Sequence, residues 1–312
     1  MTLLRPLLLW FAGKPAIGNA IERAPYAGRL VNRFIAGSDA QAAVATACSL
    51  IDRGYRVTFS YLGEDVATEA ETASAVAEYE TLIDLVAAAA ISEQAKVAIK
   101  PSLIGLQLDA GLAERNLERI VTAAEAAGAR VELDIERSNA VDPTLALYRA
   151  VGQRHEILGM ALQAYLHRTP NDLRTLLDDR IARVRLVKGA YAEPRAIAHQ
   201  SRKAVFQAYQ RLLRAAFAPE SFVRGSFFAV ATHDEPLLAS ARSLAFRRHI
   251  EADRWEVQLL YGVRPRLQER LLHEQYPVRI YLPYGERWYP YFMRRLAERP
   301  ANIWFALRQF LP

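Results

Sequence analysis

Short runs rich in β-branched residues alternate along this chain with longer stretches whose apolar residues recur at helical spacing. The short runs predict strands, and the longer stretches predict helices. The predicted strands are 56–62, 96–101, 130–135, 159–165, 183–189, 227–233, 255–262 and 278–283. The helical stretches between them include 110–128, 169–181, 192–217 and 235–246.

Repeated units of a strand followed by a helix predict an α/β fold, a closed (β/α)8 barrel. A doubly wound open sheet is the alternative, but the GxGxxG fingerprint that would support it is missing from the sequence. Residues 1–50 precede the first predicted strand, and we interpret them as extra helices packed on the barrel. The barrel itself is assigned to residues 51–312, so that one domain is expected overall.

Polar residues stand at the ends of nearly all the predicted strands. In a (β/α)8 barrel the carboxyl ends of the strands meet at one mouth, where the chemistry takes place. Each residue alone also has a structural interpretation, as a helix cap, a surface lysine or a buried histidine, but together they predict a site. These residues are Glu64, Lys100, Asp134, Glu136, Gln163, Lys188, His233, Asp234, Gln258 and Tyr281.

A polar stripe follows the last predicted strand, in the stretch "YLPYGERWYPYFMRRLAERPAN" (281–302). If this stretch is helical from Trp288 onward, Tyr291, Arg294, Arg295 and Glu298 lie on one face. We call these four residues the C-terminal stripe. Adjacent arginines together with a lysine form a clamp for a carboxylate or a phosphate. The stripe therefore predicts a helix that covers the mouth, although surface pairing of Arg294 with Glu298 would explain it as well.

Composition narrows the class of ligand. The chain has 312 residues, of which 52% are hydrophobic and 24% charged, and its net charge is +6. The basic residues are not interleaved with aromatic ones, so nucleic acid is not expected as a partner. No CxxC, HExxH or histidine-rich cluster indicates a metal site. A single cysteine, Cys48, cannot form an internal disulfide and is interpreted as a core residue, and a cytoplasmic location is expected. The residues alone predict a barrel enzyme with a binding site for a small anionic molecule, and they leave the reaction open.

Several motifs together resemble the flavin-dependent proline dehydrogenases of the short, monofunctional bacterial type. They are "YLGE", "VELD", "RLVKGAY" (185–191), "ATH" (231–233) and "RIYLPYGERWYPYFMRRLAE" (279–298). The resemblance runs in order from about Tyr55 to Asn302. Ser60 departs from it, since many relatives would carry aspartate there. The resemblance implies that L-proline is oxidised to Δ1-pyrroline-5-carboxylate by FAD, the first step of proline catabolism, with electrons passed to a membrane quinone.

The resemblance also implies roles for individual residues. Asp134 would be a charge partner beside Lys100 and the flavin, Arg185 would face the flavin N5 edge, and Glu64 would pair with Arg294 as a gate. The residues implied around proline are Lys100, Arg294 and Arg295 at the carboxylate and Tyr191, Tyr281 and Tyr291 at the ring. The residues implied around the cofactor are Ile135, Gln163, Arg185, Val187, Lys188, Gly189, Ala190, Thr232, His233 and Glu298.

Two other functions remain open from the residues. A barrel lyase or aldolase would use Lys100 or Lys188 as a Schiff-base amine, and a non-enzymatic barrel would only bind an amino acid. The tail "NIWFALRQFLP" has apolar residues at helical spacing, which predicts either peripheral contact with the inner face of the cytoplasmic membrane or docking on the barrel. Assembly into a homo-oligomer is left open.

Overall fold

The computed structural model describes residues 33–63, 66–222, 226–289 and 291. The strands are β1 (Arg56–Tyr61), β2 (Ala95–Ile99), β3 (Arg130–Leu133), β4 (Leu158–Gln163), β5 (Arg183–Val187), β6 (Phe227–Ala231), β7 (Trp255–Leu260) and β8 (Val278–Tyr284). The helices are α1 (Ala40–Ile51), α2 (Glu69–Ala88), α3 (Ala110–Ala126), α4 (Val141–Gly152), α5 (Thr169–Asp178), α6 (Arg202–Ala216), α7 (Glu235–Arg247) and α8 (Pro265–His273).

The eight strands form a closed parallel barrel in sequence order. Closure is made by β1 and β8, which pair from Arg56 opposite Arg279 to Tyr61 opposite Tyr284. The predicted (β/α)8 barrel is therefore confirmed, and the open-sheet alternative is wrong because the first and last strands are hydrogen-bonded to each other. The predicted strands all correspond to observed ones, with ends that differ by a few residues.

Buried tyrosines tie the outer helices to the barrel. Tyr79 on α2, Tyr148 on α4 and Tyr209 on α6 are fully buried. Tyr209 donates its hydroxyl hydrogen to the carbonyl of Leu186 at 2.6 Å, and Tyr148 donates to the carbonyl of Ile181 at 2.5 Å. Each of these rings adds apolar contact area to the helix–strand layer, while its hydroxyl satisfies a backbone group that burial would otherwise leave unpaired.

Polar side chains occupy three layers of the barrel interior. The lower layer, near the amino ends of the strands, contains Lys96, Glu256 and Arg279. The middle layer contains Glu132, Arg185 and Gln258. The upper layer, at the mouth, contains Ser60, Lys100, Asp134 and Tyr281. All ten are buried except Tyr281, which is partly buried. Such positions are usually filled by branched apolar residues, so this interior is unusually polar for a (β/α)8 barrel.

One predicted helix begins later than expected. The stretch 192–217 was predicted as helical, but α6 begins at Arg202, where the Ser201 hydroxyl accepts a hydrogen bond from the amide of Ala204 at 3.1 Å. The residues before it run antiparallel to the loop after β4, through a bridge between Leu166 and Ala198. Here tertiary backbone pairing replaces the helical hydrogen bonds.

The described part of the segment 1–50 contains α1, which packs against α2, β1 and β8. Asp39 caps this helix by accepting a hydrogen bond from the amide of Ala42 at 2.8 Å. Cys48 on α1 is partly buried against the core, in line with its interpretation as a packed residue. Residues 1–32 lie outside the described ranges, so the division into added helices and barrel stays a prediction. Within the described ranges no helix is both long and apolar enough to cross a membrane.

Candidate active site

The upper layer forms a hydrogen-bonded chain across the mouth of the barrel. The hydroxyl of Tyr281 lies 2.8 Å from Asp134 Oδ2 and 2.8 Å from Ser60 Oγ. Lys100 Nζ lies 3.5 Å from Ser60 Oγ and also donates to the carbonyl of Tyr61. A phenol has a single proton, which we assign to the bond with the carboxylate, and the Ser60 hydroxyl then donates to the tyrosine oxygen. The strands β1, β2, β3 and β8 thus place one cation, one carboxylate and two hydroxyls together.

The environment of Tyr281 keeps its phenol protonated. Burial raises the pKa of Tyr281 well above its ordinary value, and the negative charge of Asp134 raises this pKa further. A protonated phenol can donate to Asp134 throughout the physiological pH range. Tyr281 is therefore a fixed hydrogen-bond donor to the carboxylate.

Arg185 projects from β5 into the centre of the barrel. Its guanidinium pairs with Asp134 above and with Glu132 below, where NH1 lies 3.2 Å from Glu132 Oε2. Its Cζ lies 5.2 Å from the centre of the Tyr281 ring, a cation–π distance. Burial alone would lower the pKa of Arg185, but Glu132 and Asp134 raise it above its ordinary value. A permanent buried cation is held under the mouth.

One nitrogen of the Arg185 guanidinium takes no part in these ion pairs. The Nε atom is buried and has no hydrogen-bond partner among the described residues. A buried donor without a partner costs free energy, roughly 1–3 kcal/mol, which a bound ligand or water would recover. The structure thus offers a charge-assisted donor for a ligand bound over the barrel centre.

A second orphaned atom belongs to Gln163 at the end of β4. The Nε2 amide donates to the carbonyls of Ile135 at 3.2 Å and Glu136 at 2.9 Å, which fixes the orientation of the side chain. Its Oε1 atom is buried and without a partner in the part of the chain that the structure describes. Gln163 is thus positioned as an acceptor and contacts Ile135, another residue that the resemblance implies for the cofactor site.

The end of β5 continues into a turn at Lys188, Gly189 and Ala190. Gly189 has φ of +113°, and a Cβ atom at this position would overlap the ring of Tyr165. The carbonyls of Val187 and Lys188 accept hydrogen bonds from the loop after β4, at 2.8 and 3.0 Å. Only glycine fits this close approach. The turn is therefore held in a conformation that leaves its backbone at the rim of the mouth.

The β6 end carries the other predicted cofactor residues. Asp234 pairs with Lys188 at 2.7 Å and donates its amide hydrogen to Thr232 Oγ1 at 3.2 Å. His233 Nε2 accepts a hydrogen bond from the amide of Leu260 at 3.3 Å, so the proton of a neutral ring lies on Nδ1. The ends of β5 and β6 are thereby joined at one side of the mouth.

Tyr191 lies on the far side of the turn, beside a cavity of about 370 Å³. Glu136 and Ser102 line the same cavity. The carboxylate of Glu136 accepts hydrogen bonds from the amide and hydroxyl of Ser102 at 2.9 and 2.7 Å. The cavity is large enough for a small metabolite or part of a larger ligand.

Several predicted site residues lie outside the described residues, so their positions stay predictions. They are Glu64, Arg294, Arg295 and Glu298. Of the C-terminal stripe only Tyr291 is described, and it is buried against Ile35 and Leu62. That contact places residue 291 above β1.

Sequence reasoning missed the charged residues below the mouth. Glu132 and Glu256 lie on apolar strands and were not singled out, although each stands two positions before a predicted site residue, Asp134 or Gln258. Because strand side chains alternate between faces, residues two apart point the same way. That period of two was the signal for a polar barrel interior.

The closed barrel with ionisable side chains converging at its mouth defines the class of barrel enzymes that act on small molecules. Residues 43–307 match the proline dehydrogenase family. The chain is 37% identical to "Proline dehydrogenase 1" of Bacillus subtilis over 287 residues, which are 92% of each chain. It is 34% identical to the proline dehydrogenase of Deinococcus radiodurans over 99% of this chain and 98% of that one. The chain therefore belongs to the proline dehydrogenase family, and it is an oxidoreductase of proline metabolism.

Solved structures show the same fold. Proline utilization A (PutA) from Bdellovibrio bacteriovorus, inactivated by N-propargylglycine, superposes with a TM-score of 0.79 at 22% identity. The match covers 87% of this chain and 33% of that one, so this chain spans about a third of that protein. At this identity the likeness supports the barrel fold alone.

Proposed function

We propose that this protein oxidises L-proline to Δ1-pyrroline-5-carboxylate with FAD as its resident cofactor and passes the electrons to a membrane quinone. The observation that carries the proposal is the buried Arg185 cation under the mouth, whose Nε atom has no partner among the described residues. When bound, the flavin supplies a hydride acceptor for the ring carbon next to the proline nitrogen. The family match supports proline as the substrate.

The residues around Arg185 fit a flavin. An isoalloxazine ring presents both hydrogen-bond donors and acceptors, and the structure offers the Arg185 Nε donor and the Gln163 Oε1 acceptor, both buried and unpartnered within the described ranges. Gly189 gives the turn at the end of β5 a positive φ, and the backbone amides of such glycine-containing turns bind phosphate groups. The full cofactor set that we propose is Ile135, Gln163, Arg185, Val187, Lys188, Gly189, Ala190, Thr232, His233 and Glu298.

The upper layer fits the substrate. Lys100 is a buried cation at the mouth and would hold the carboxylate together with Arg294 and Arg295. The ring of Tyr281 would form one wall around the apolar proline ring. The other proposed walls are Tyr191 and Tyr291, and the proposed gate is Glu64 with Arg294.

Asp134 acts here as a charge partner. Its two oxygens already accept hydrogen bonds from Arg185 and Tyr281. Both oxygens of the carboxylate are thus engaged by donors of the protein itself. We therefore propose that Asp134 orients Arg185 and Tyr281 and does not remove the proton from the substrate nitrogen.

The absorbance spectrum of the purified protein tests the cofactor and the reaction together. We expect a yellow protein whose visible flavin band bleaches when L-proline is added under argon and returns when a quinone is added. The Schiff-base alternative predicts instead a colourless protein in which borohydride and substrate trap Lys100 or Lys188. A binding barrel would take up proline without bleaching. A protein that stays colourless and inactive after reconstitution with FAD, or that requires NAD, would contradict the proposal.

We also propose that the tail from Asn302 onward brings the protein to the inner face of the cytoplasmic membrane, where the quinone is found. The support is the apolar spacing of this segment together with Arg308. Vesicles with anionic lipids should bind the full chain in a salt-sensitive manner and should not bind a chain that ends at Ala301. Equal binding by both chains would contradict this assignment.

A further inference from the structure

Below the substrate site, the charged interior of the barrel continues downward from Arg185. Glu132 Oε2 lies 3.2 Å from Arg185 NH1, and Glu132 Oε1 lies 3.8 Å from Lys96 Nζ. The side-chain nitrogen Nε2 of Gln258 lies 3.4 Å from Glu132 Oε1 and 2.9 Å from Glu256 Oε1. Glu132 is thus the connection between the cation under the mouth and the ion pairs of the lower layer.

Glu132 and Asp134 play different parts toward Arg185. Asp134 belongs to the upper layer and also contacts Tyr281, so it lies where substrate and cofactor would bind. Glu132 is 3% exposed and lies one layer lower. Its described polar partners are the side chains of Arg185, Lys96 and Gln258.

The position of Glu132 fixes which nitrogen of Arg185 remains for a ligand. Glu132 engages NH1 and Asp134 engages NH2, so the planar guanidinium is held at two corners. A guanidinium is a rigid fork, and holding two of its corners determines where the third points. The third nitrogen is Nε, the buried donor without a described partner.

We propose that Glu132 is a positioning residue for the redox reaction, which holds Arg185 from below and sets how strongly this cation favours the reduced cofactor. The inference rests on the proposed function, since it requires a flavin above Arg185. A positive charge next to a flavin stabilises its reduced, anionic form, and Glu132 offsets part of that charge from a distance at which it does not touch the cofactor.

The measurement is the midpoint potential of the bound flavin, titrated against a reference dye with a chemical reductant and without proline. In Glu132→Gln the neutral amide no longer offsets the charge of Arg185. We expect the two-electron reduction equilibrium to shift at least tenfold toward the reduced flavin, which is an increase of about 30 mV in the midpoint potential.

Glu256→Gln is the matched control. It makes the same chemical change inside the same barrel, but Glu256 contacts Lys96 and Arg279 and has no contact with Arg185. This variant should lose thermal stability, because it leaves two buried cations with one partner fewer, and its flavin potential should stay within a few-fold of the wild-type equilibrium.

Glu132→Asp distinguishes the effect of the negative charge from the effect of its position. This variant also tests the inference if Glu132→Gln does not fold. The shorter side chain keeps the negative charge but withdraws it from Arg185 NH1. We expect a potential close to that of the wild type, a severalfold lower kcat for proline and an unchanged KM, while Glu256→Asp should leave kcat unchanged.

The inference is overturned if Glu132→Gln shifts the potential no more than Glu256→Gln does, or shifts it downward, or if the two aspartate variants have the same kcat. A wild-type protein that binds no flavin would overturn the proposed function, and this inference with it. If the wild-type protein binds flavin and the midpoint potential of Glu132→Gln is unchanged, only this inference is overturned.

Discussion

The hydroxyl of Tyr281 links the two sides of the proposed substrate site, since it lies 2.8 Å from Asp134 Oδ2 on β3 and 2.8 Å from Ser60 Oγ on β1. Ser60 connects in turn to Lys100. The family resemblance implies an aspartate in many relatives where this chain has Ser60, so a neutral hydroxyl takes the place of a carboxylate here. Two of the acceptors around Lys100 Nζ, the Ser60 hydroxyl and the Tyr61 carbonyl, are therefore neutral groups.

Replacing Tyr281 by phenylalanine tests this link. The ring and its contact with Arg185 would remain, but Asp134 would lose one of its two donors. A hydrogen bond to a charged group contributes roughly 1.5–3 kcal/mol. We expect kcat/KM for proline to fall roughly ten- to hundredfold, measured under anaerobic conditions with a quinone acceptor.

Tyr284→Phe is the control for that change. Tyr284 is buried on the same strand but stacks against Tyr61, at 5.5 Å between ring centres, and lies near Glu78 of α2. This variant should change kcat/KM by less than about threefold, since the Tyr284 hydroxyl faces Glu78 of α2 and not Asp134. Equal losses in both variants would show that the Tyr281 hydroxyl serves stability alone.

At the scale of elements, the turn after β5 is the part of the site with the strictest local geometry. Gly189 combines a φ of +113° with the close approach of Tyr165. The segment that follows is pinned to the loop after β4 by His199, whose amide donates to the carbonyl of Tyr165 at 2.8 Å. The strand end and the extended segment therefore hold the turn from both sides.

Gly189→Ala should disturb this turn. The new methyl group must push away the Tyr165 ring, so we expect weaker flavin retention on gel filtration and a loss of stability of roughly 1–3 kcal/mol. Gly128→Ala is the control, because Gly128 also has a positive φ, of +70°, but an added Cβ there would lie 3.9 Å from the nearest atom, in Ser92. A control that loses as much flavin as Gly189→Ala would show that backbone strain, and not the turn at the mouth, is responsible.

The element after β8 carries the C-terminal stripe, which is still a prediction. If Arg294 and Arg295 bind the proline carboxylate, methionine at either position should raise KM for proline. Losing a charge-assisted bond costs roughly 1.5–3 kcal/mol, or about a ten- to hundredfold effect. The melting temperature should barely change, since a surface pair with Glu298 contributes only tenths of a kcal/mol.

Arg154→Met provides the comparison for the stripe. Arg154 is an exposed arginine that pairs with Glu114 and Glu118 on α3. Arg154→Met should leave KM for proline unchanged. A rise in KM at Arg294 or Arg295 would then be due to the loss of a substrate contact and not to the loss of an arginine in general. Near-wild-type KM values in both stripe variants would place the stripe toward solvent.

At the scale of the whole molecule, the buried tyrosines of the helix–strand layer couple stability to alkaline pH. Burial raises the pKa of Tyr79, Tyr148 and Tyr209 far above the ordinary value of 10.0. In the unfolded chain these phenols lose their protons near pH 10, whereas in the folded protein they retain them. The folded state then binds more protons, so this stabilisation is complete below pH 10 and is lost as the pH rises beyond it.

Denaturant unfolding on both sides of pH 10 measures this dependence. Each fully buried tyrosine should lower the free energy of unfolding by about 1.4 kcal/mol for each pH unit above 10. Tyr209→Phe removes one such group together with its bond to Leu186. It should be less stable than the wild type at neutral pH and should lose stability less steeply above pH 10. Parallel slopes in the two proteins would contradict the assignment.

The sequence by itself determined the order of strands and helices, because the period of apolar residues is a local property of each segment. It also indicated the strand-end residues that the barrel brings together, such as Lys100, Asp134 and Tyr281, since parallel strands must all end at the same mouth. The motif that contains Arg185 and Gly189 indicated the family because its residues are contiguous in the chain.

Only the tertiary structure decided which side chains meet inside the barrel. The pairing of Arg185 with Glu132 joins β5 to β3, and that of Lys96 with Glu256 joins β2 to β7, between strands that are not neighbours in the sheet. The extended segment before α6 was likewise decided by distant backbone partners in the loop after β4. Such contacts depend on the curvature and closure of the sheet, and closure is a property of all eight strands together that no single segment encodes.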